Sequence, residues 1–232
     1  MFLGEKMQIE DGQYSVIGRK AAVLATNEVV RKTYFLLSLT LLFSAAISYI
    51  TMLGFLPMPS TMVTILGMFG LMFAAQGLRN SKWGVSAVFA FTGFMGYTLA
   101  PILNAFMHTQ GGGELILTAL GGTGVIFMAL SLYVLITRKD FSYMGGMLFV
   151  AITVAFLASV AGIFFQAPLL QVAVSGAFAV ISSGLILFQT SQILHGGERN
   201  YIMATMSLYM SIFNLFISLL RILSFFSGGR RD

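Results

Sequence analysis

Seven apolar runs, at about residues 33–56, 60–78, 84–107, 114–137, 141–165, 169–193 and 201–226, occupy nearly the whole chain. At about 1.5 Å of rise per residue, each is long enough to cross a hydrocarbon layer of about 30 Å as a helix. Lipid cannot satisfy backbone N–H and C=O groups, so such runs fold as spanning helices that satisfy their own. Hydrophobic residues make up 57% of the chain and charged residues 9%, against roughly 45–50% and about 25% in soluble domains. The expected fold is one all-α integral membrane domain, with no room for a separate catalytic domain. Its expected divisions are a cytoplasmic tail over 1–32, a seven-helix domain over 33–227 and a short extracytoplasmic tail over 228–232.

The breaks between runs are short. Gly54, Pro57 and Pro59 make the first, Arg79 to Trp83 the second and Gly111 to Gly113 the third. Arg138, Lys139 and Asp140, then Pro168, then His195 to Asn200, make the rest. Ten Lys and Arg fall on one side: Lys6, Arg19, Lys20, Arg31 and Lys32, with Arg79, Lys82, Arg138, Lys139 and Arg199 in alternate loops. Opposite them stand only Arg230 and Arg231, with Arg221 inside the last run. Basic loops concentrate on the cytoplasmic face, so the N-terminus is expected inside and the C-terminus outside. The net charge of +5 then reports topology and anionic headgroups rather than a nucleic-acid partner. Residues 1–32 read as a flexible mixed-charge tail, with a short interfacial helix on Ile17, Ala21 and Leu24 as the alternative. They hold no long apolar run, so the first span is expected to act as an uncleaved signal. The absence of cysteine excludes disulfides and thiolate metal sites.

The last run is not uniformly apolar. Ser207, Ser211, Asn214, Ser218 and Arg221 recur at spacings of four and three, which places them on one helical stripe. Lipid offers that stripe no partner, so the seventh helix is expected at the centre of the bundle. The sixth run supplies Ser175, Ser182 and Gln189 at seven-residue intervals, and an antiparallel pairing brings them to similar depth. Such a seam is either interhelical glue or part of a polar pathway. Small residues at Ala151, Ala155, Ala158 and Gly162, at Gly93 and Gly96, and from Gly121 to Gly124 point to close helix packing. His108 and His195 fall in loops on opposite faces and cannot share a metal. Neither lies where it could serve an intramembrane serine, so hydrolysis is not expected. No cofactor is expected.

Four stretches carry a resemblance: RKTYFLLSLTL at 31–41, FAFTGFMGYTLAPILN at 89–104, SLYVLITRKDFSYMGGML at 131–148 and HGGERNYIMATMSLYMSIFNLFISLL at 195–220. Together they resemble the Bax inhibitor-1 (TMBIM) family, and most closely its bacterial inner-membrane branch. The resemblance implies seven transmembrane helices with the seventh surrounded by the other six. It also implies one of two activities. Members of the bacterial branch bind the FtsH protease and restrain its degradation of membrane proteins, which makes a non-enzymatic modulator the leading expectation. Other members are calcium leak channels gated by a pair of aspartates, one late in helix six and one in the L-Y-x-D-x-x-N-x-F pattern of helix seven. Here Leu208, Tyr209, Asn214 and Phe216 match that pattern, but Ser211 stands at the aspartate position and Gln189 at the other. Neither side chain titrates near neutral pH, so the alternative is a calcium leak without that gate. Gln189 and Ser211 are then expected to hydrogen-bond each other. In the tail, Arg19, Lys20, Arg31 and Lys32 are expected to face the protease.

Overall fold

A computed structural model describes the backbone of residues 2–109, 111–165 and 168–228, and side chains within 27–109, 111–162 and 169–227. The elements are α1 (Phe2–Met52), α2 (Thr61–Leu78), α3 (Gly84–Met107), α4 (Gly112–Thr137), α5 (Met144–Phe165), α6 (Pro168–Leu194) and α7 (Tyr201–Gly228). Each contains a stretch long and apolar enough to cross a membrane, the first being Asn27–Met52. All seven expected runs are therefore helices. The segment read as a flexible tail is instead helical from Phe2 and continuous with the first span. A formed span supplies the nucleus from which helix propagates, and no proline interrupts the chain before Pro57.

α7 is the innermost helix. From Tyr201 to Leu220 none of its residues is exposed, and its apolar window is 44% buried against 6% for α2 and 11% for α5. It packs on α1, α3, α4 and α6, while α2 lies chiefly on α3 and α5 on α6. The surround is thus two-layered, with α2 and α5 outermost. Because lipid is as apolar as leucine, this arrangement depends on close packing rather than on escape from water. Gly93 and Gly96 show how. A Cβ on Gly96 would collide with the Ser44 backbone of α1, and one on Gly93 would lie 2.6 Å from the Phe43 ring. The bare face of α3 lets α1 approach. Of the glycines at 121–124, only Gly122 meets a neighbour, Leu219 of α7, while Gly121 and Gly124 face open space. Packing there rests on one residue rather than three.

Candidate functional site

The sixth and seventh helices meet at Gln189 and Ser211, while Ser175 donates to the Gln171 carbonyl of its own helix. Ser211 Oγ donates to Gln189 Oε1 at 3.0 Å and lies 3.1 Å from the Ser207 carbonyl, so its single proton is shared between two acceptors. Ser211 and Ser182 are each 1% exposed. Ser218 is also buried, while Ser207 and Asn214 are half-buried. Arg221 is exposed, unlike the rest of its stripe. Spacing sets the azimuth of a residue around the helix but not its depth. Twenty residues after Tyr201, at about 1.5 Å each, Arg221 stands about 30 Å along the axis, where the hydrocarbon layer ends.

The opposite face of α7 carries a second polar contact that the spacing argument missed. Tyr209 is 1% exposed, its hydroxyl 2.6 Å from Ser44 Oγ of α1 and 3.2 Å from the Thr92 carbonyl of α3. The carbonyl can only accept, so the tyrosine proton goes there and Ser44 donates to Tyr209. One turn earlier, Thr205 Oγ1 lies 2.7 Å from the Tyr201 carbonyl and 3.4 Å from that of Thr33. α7 is therefore bonded on both sides, to α6 by Ser211 and to α1 and α3 by Tyr209.

A third polar cluster closes the end at which α7 begins. In the α4–α5 turn Asp140 Oδ1 accepts the Ser142 N–H at 2.8 Å and the Ser191 hydroxyl of α6 at 3.3 Å. The Ser142 hydroxyl and its N–H, then Ser191 and His195, hold the Asp140 carboxyl below its usual range. Ser191 Oγ also accepts the Phe141 N–H at 2.9 Å, and Gln192 Nε2 donates to Ser142 Oγ at 2.9 Å. His195 turns its ring nitrogens to the carbonyls of Ser191 and Arg138, at 3.0 and 3.1 Å. This is not the order of a nucleophilic relay, in which histidine stands between serine and acid. Here the buried serine stands in the middle, with a lone pair already occupied by a backbone N–H. Asn200 completes the end. Its Oδ1 accepts the N–H groups of Ile202 and Met203 at 3.0 and 3.2 Å, capping α7. Its Nδ2 donates to the Arg79 carbonyl and to Asn80 Oδ1 in the α2–α3 turn. An Asn just before an apolar run is a capping signal that could have been read from the sequence.

Of the basic tail residues, Arg31 and Lys32 are exposed, with Lys32 Nζ 2.6 Å from Glu28 and 5.6 Å from the centre of the Tyr201 ring. The side chains of Arg19 and Lys20 lie outside the described residues. No carboxylate stands at the Gln189 and Ser211 positions, and among the described residues no three His, Asp or Glu converge.

A family model described as inhibitor of apoptosis-promoting Bax1 matches residues 26–228. The chain belongs to that family. Among its Bax1-inhibitor relatives, an Escherichia coli protein named modulator of FtsH protease YccA is 51% identical over 208 residues, covering 90% of this chain and 94% of its own. The same protein in a second E. coli strain, equally similar, is named inner membrane protein YccA. An uncharacterised Pseudomonas aeruginosa protein is 47% identical over 220 residues, covering 95% of this chain and 99% of its own. The Bax1-inhibitor family and seven apolar helices make this a multi-pass membrane protein, regulatory in kind.

Proposed function

We propose that this chain is an inner-membrane modulator of the FtsH protease that binds the enzyme and restrains its degradation of other membrane proteins. The observation that carries the proposal is identity of 51%, across 90% of the chain, to a protein named for that role. In this reading the basic end is cytoplasmic and contacts anionic headgroups. The N-terminal segment, with Arg19, Lys20, Arg31 and Lys32, is the handle offered to the protease. A helix of 31 residues spans about 45 Å, and the same segment drawn out at about 3.3 Å per residue reaches about 100 Å. Either length projects well clear of the bilayer. Behind the handle, a bundle bonded on both faces of its central helix resists extraction, so the enzyme is occupied without consuming its ligand quickly.

Co-purification with FtsH from mild detergent, followed by degradation of a second membrane substrate, tests the proposal. Stable association and slower turnover of that substrate are expected. Unchanged turnover at saturating protein would refute it.

A further inference from the structure

Where α5, α6 and the last turns of α7 come together, two cavities meet. One, of about 560 Å³, is lined by Arg221 and Ser224 of α7, Gln171 and Ser175 of α6, and Ser159 of α5. The other, of about 920 Å³, is an open apolar groove between α5 and α6, running from Met147 to Ala158 on one helix and from Leu170 to Ile181 on the other. Ala158 and Val174 line both, so the two form one recess with a polar head and an apolar tail. The stripe of small residues on α5 was expected to close against its neighbour. It faces Ala173, Gly176 and Ala177, and small side chains on both walls leave the space between them open.

The recess is long and narrow. α5 and α6 run antiparallel, with Leu148 against Gly184 and Leu170 against Gly162, so the groove from the level of Met147 to that of Leu170 covers about 22 Å of a hydrocarbon layer of about 30 Å. Arg221 lies at the end where the carbonyl-rich headgroup zone begins. There the exposed guanidinium borders a cavity lined by serines and Gln171 and presents a positive charge to whatever occupies it. No acidic side chain lines the recess, and no ion pair to Arg221 is present among the described residues.

We propose that this recess holds one phospholipid of the adjoining leaflet, with an acyl chain in the α5–α6 groove and the phosphate on Arg221. The planar fork of arginine suits a phosphate, which accepts two parallel N–H bonds from it. Ser159, Gln171 and Ser224 offer hydrogen bonds at the level of the glycerol esters. A free phosphate would leave the apolar groove empty, and an uncharged lipid would leave Arg221 without a counter-ion. This site lies at the opposite end from the basic loops and does not depend on the protease reading.

Native mass spectrometry of the purified full-length protein tests the assignment. The probes are phosphatidylglycerol, diacylglycerol with the same chains, and inorganic phosphate as competitor. One phosphatidylglycerol per chain is expected, retained roughly tenfold better than diacylglycerol, as loss of a charge-assisted bond implies. Millimolar inorganic phosphate should not displace it. Arg221→Gln should fall to the diacylglycerol level, Arg221→Lys should keep most of the binding, and Ala173→Leu with Ala177→Leu should lower retention of both lipids. Equal retention of the two lipids by the unaltered protein would overturn the assignment, whatever the variants do. So would displacement by inorganic phosphate, or a folded Arg221→Gln protein that keeps its phosphatidylglycerol.

Discussion

α6 has two faces that meet their neighbours in opposite ways. Toward α7 it presents Ser182, Ile186 and Gln189, and the contact is closed: Ser182 is 1% exposed, Ile186 is fully buried and Gln189 is bonded to Ser211. Toward α5 it presents Ala173, Gly176, Ala177 and Val180, and the contact is an open groove. The difference lies in what a membrane rewards. Polar side chains have no partner in lipid and drive helices together until they find one, whereas small apolar side chains are equally served by a helix or an acyl chain.

The largest expected effect tests that contrast within one helix. Ile186→Ala, on the closed face, should destabilise the protein by roughly 2–5 kcal/mol, while Val180→Ala, on the open face, should change stability by less than about 0.5 kcal/mol. Reversible unfolding of the purified protein in mixed micelles measures both. Equal losses would remove the distinction between the faces.

Next in size is conversion of the seam to the acid pair that related channels carry. In Gln189→Asp with Ser211→Asp, a buried carboxyl and a half-buried one share one site, and two like charges there raise a folded-state pKa above its unfolded value. A raised acid stabilises the fold while protonated and loses that contribution as pH rises through the folded value; each tenfold weakening of the acid is worth about 1.4 kcal/mol. The double variant should therefore be more stable at pH 5 than at pH 8. Unfolding midpoints across that range check the sign, and a profile parallel to that of the unaltered protein would show that the two positions do not face each other.

Tyr209→Phe should cost roughly 0.6–1.7 kcal/mol, the range for hydrogen bonds between membrane helices. It leaves Ser44 and the Thr92 carbonyl without their shared partner on the α1 and α3 side of α7. Reversible unfolding in the same micelles measures the loss, and an unchanged midpoint would mean that these bonds do not hold α7. The smallest effect belongs to Asp140→Asn in the exposed turn. The carboxyl of Asp140 is held below its usual range, so its contribution is present above the unfolded value and disappears as pH falls through the folded one. The difference between variant and unaltered protein should be largest near neutral pH and vanish in strong acid. A difference that grew on acidification would contradict the assigned bonds.

The helices and the α6–α7 seam were legible in the sequence because both are written in local spacing. Positions seven apart share a helical face, so the polar face of α6 could be set against that of α7 from spacing, and the resemblance to the Bax inhibitor-1 family named Gln189 and Ser211 as a facing pair. The partners of Tyr209 could not, since Ser44 and Thr92 stand 165 and 117 residues away and nothing local points to them. Asp140 and Ser191, 51 residues apart, form their contact only once α4, α5 and α6 end together. The groove was hidden for a different reason. Ala151, Ala155 and Ala158 read the same whether a helix or a lipid lies against them, and only the size of the facing residues decides. Arg221 was placed on the right face at the wrong exposure, because periodicity carries no depth.

Uncharged partners seal α7 and leave Ser211 1% exposed, and thiol labelling tests that closure most directly. The native chain has no cysteine, so Ser211→Cys introduces one thiol at the seam and Tyr143→Cys one in an exposed turn, where the tyrosine is 78% exposed. A water-soluble maleimide added to the folded protein in membranes should label the Tyr143→Cys thiol promptly and spare the Ser211→Cys thiol until detergent unfolds the bundle. Labelling of both at similar rates would mean that water reaches the seam and that the closed arrangement is wrong.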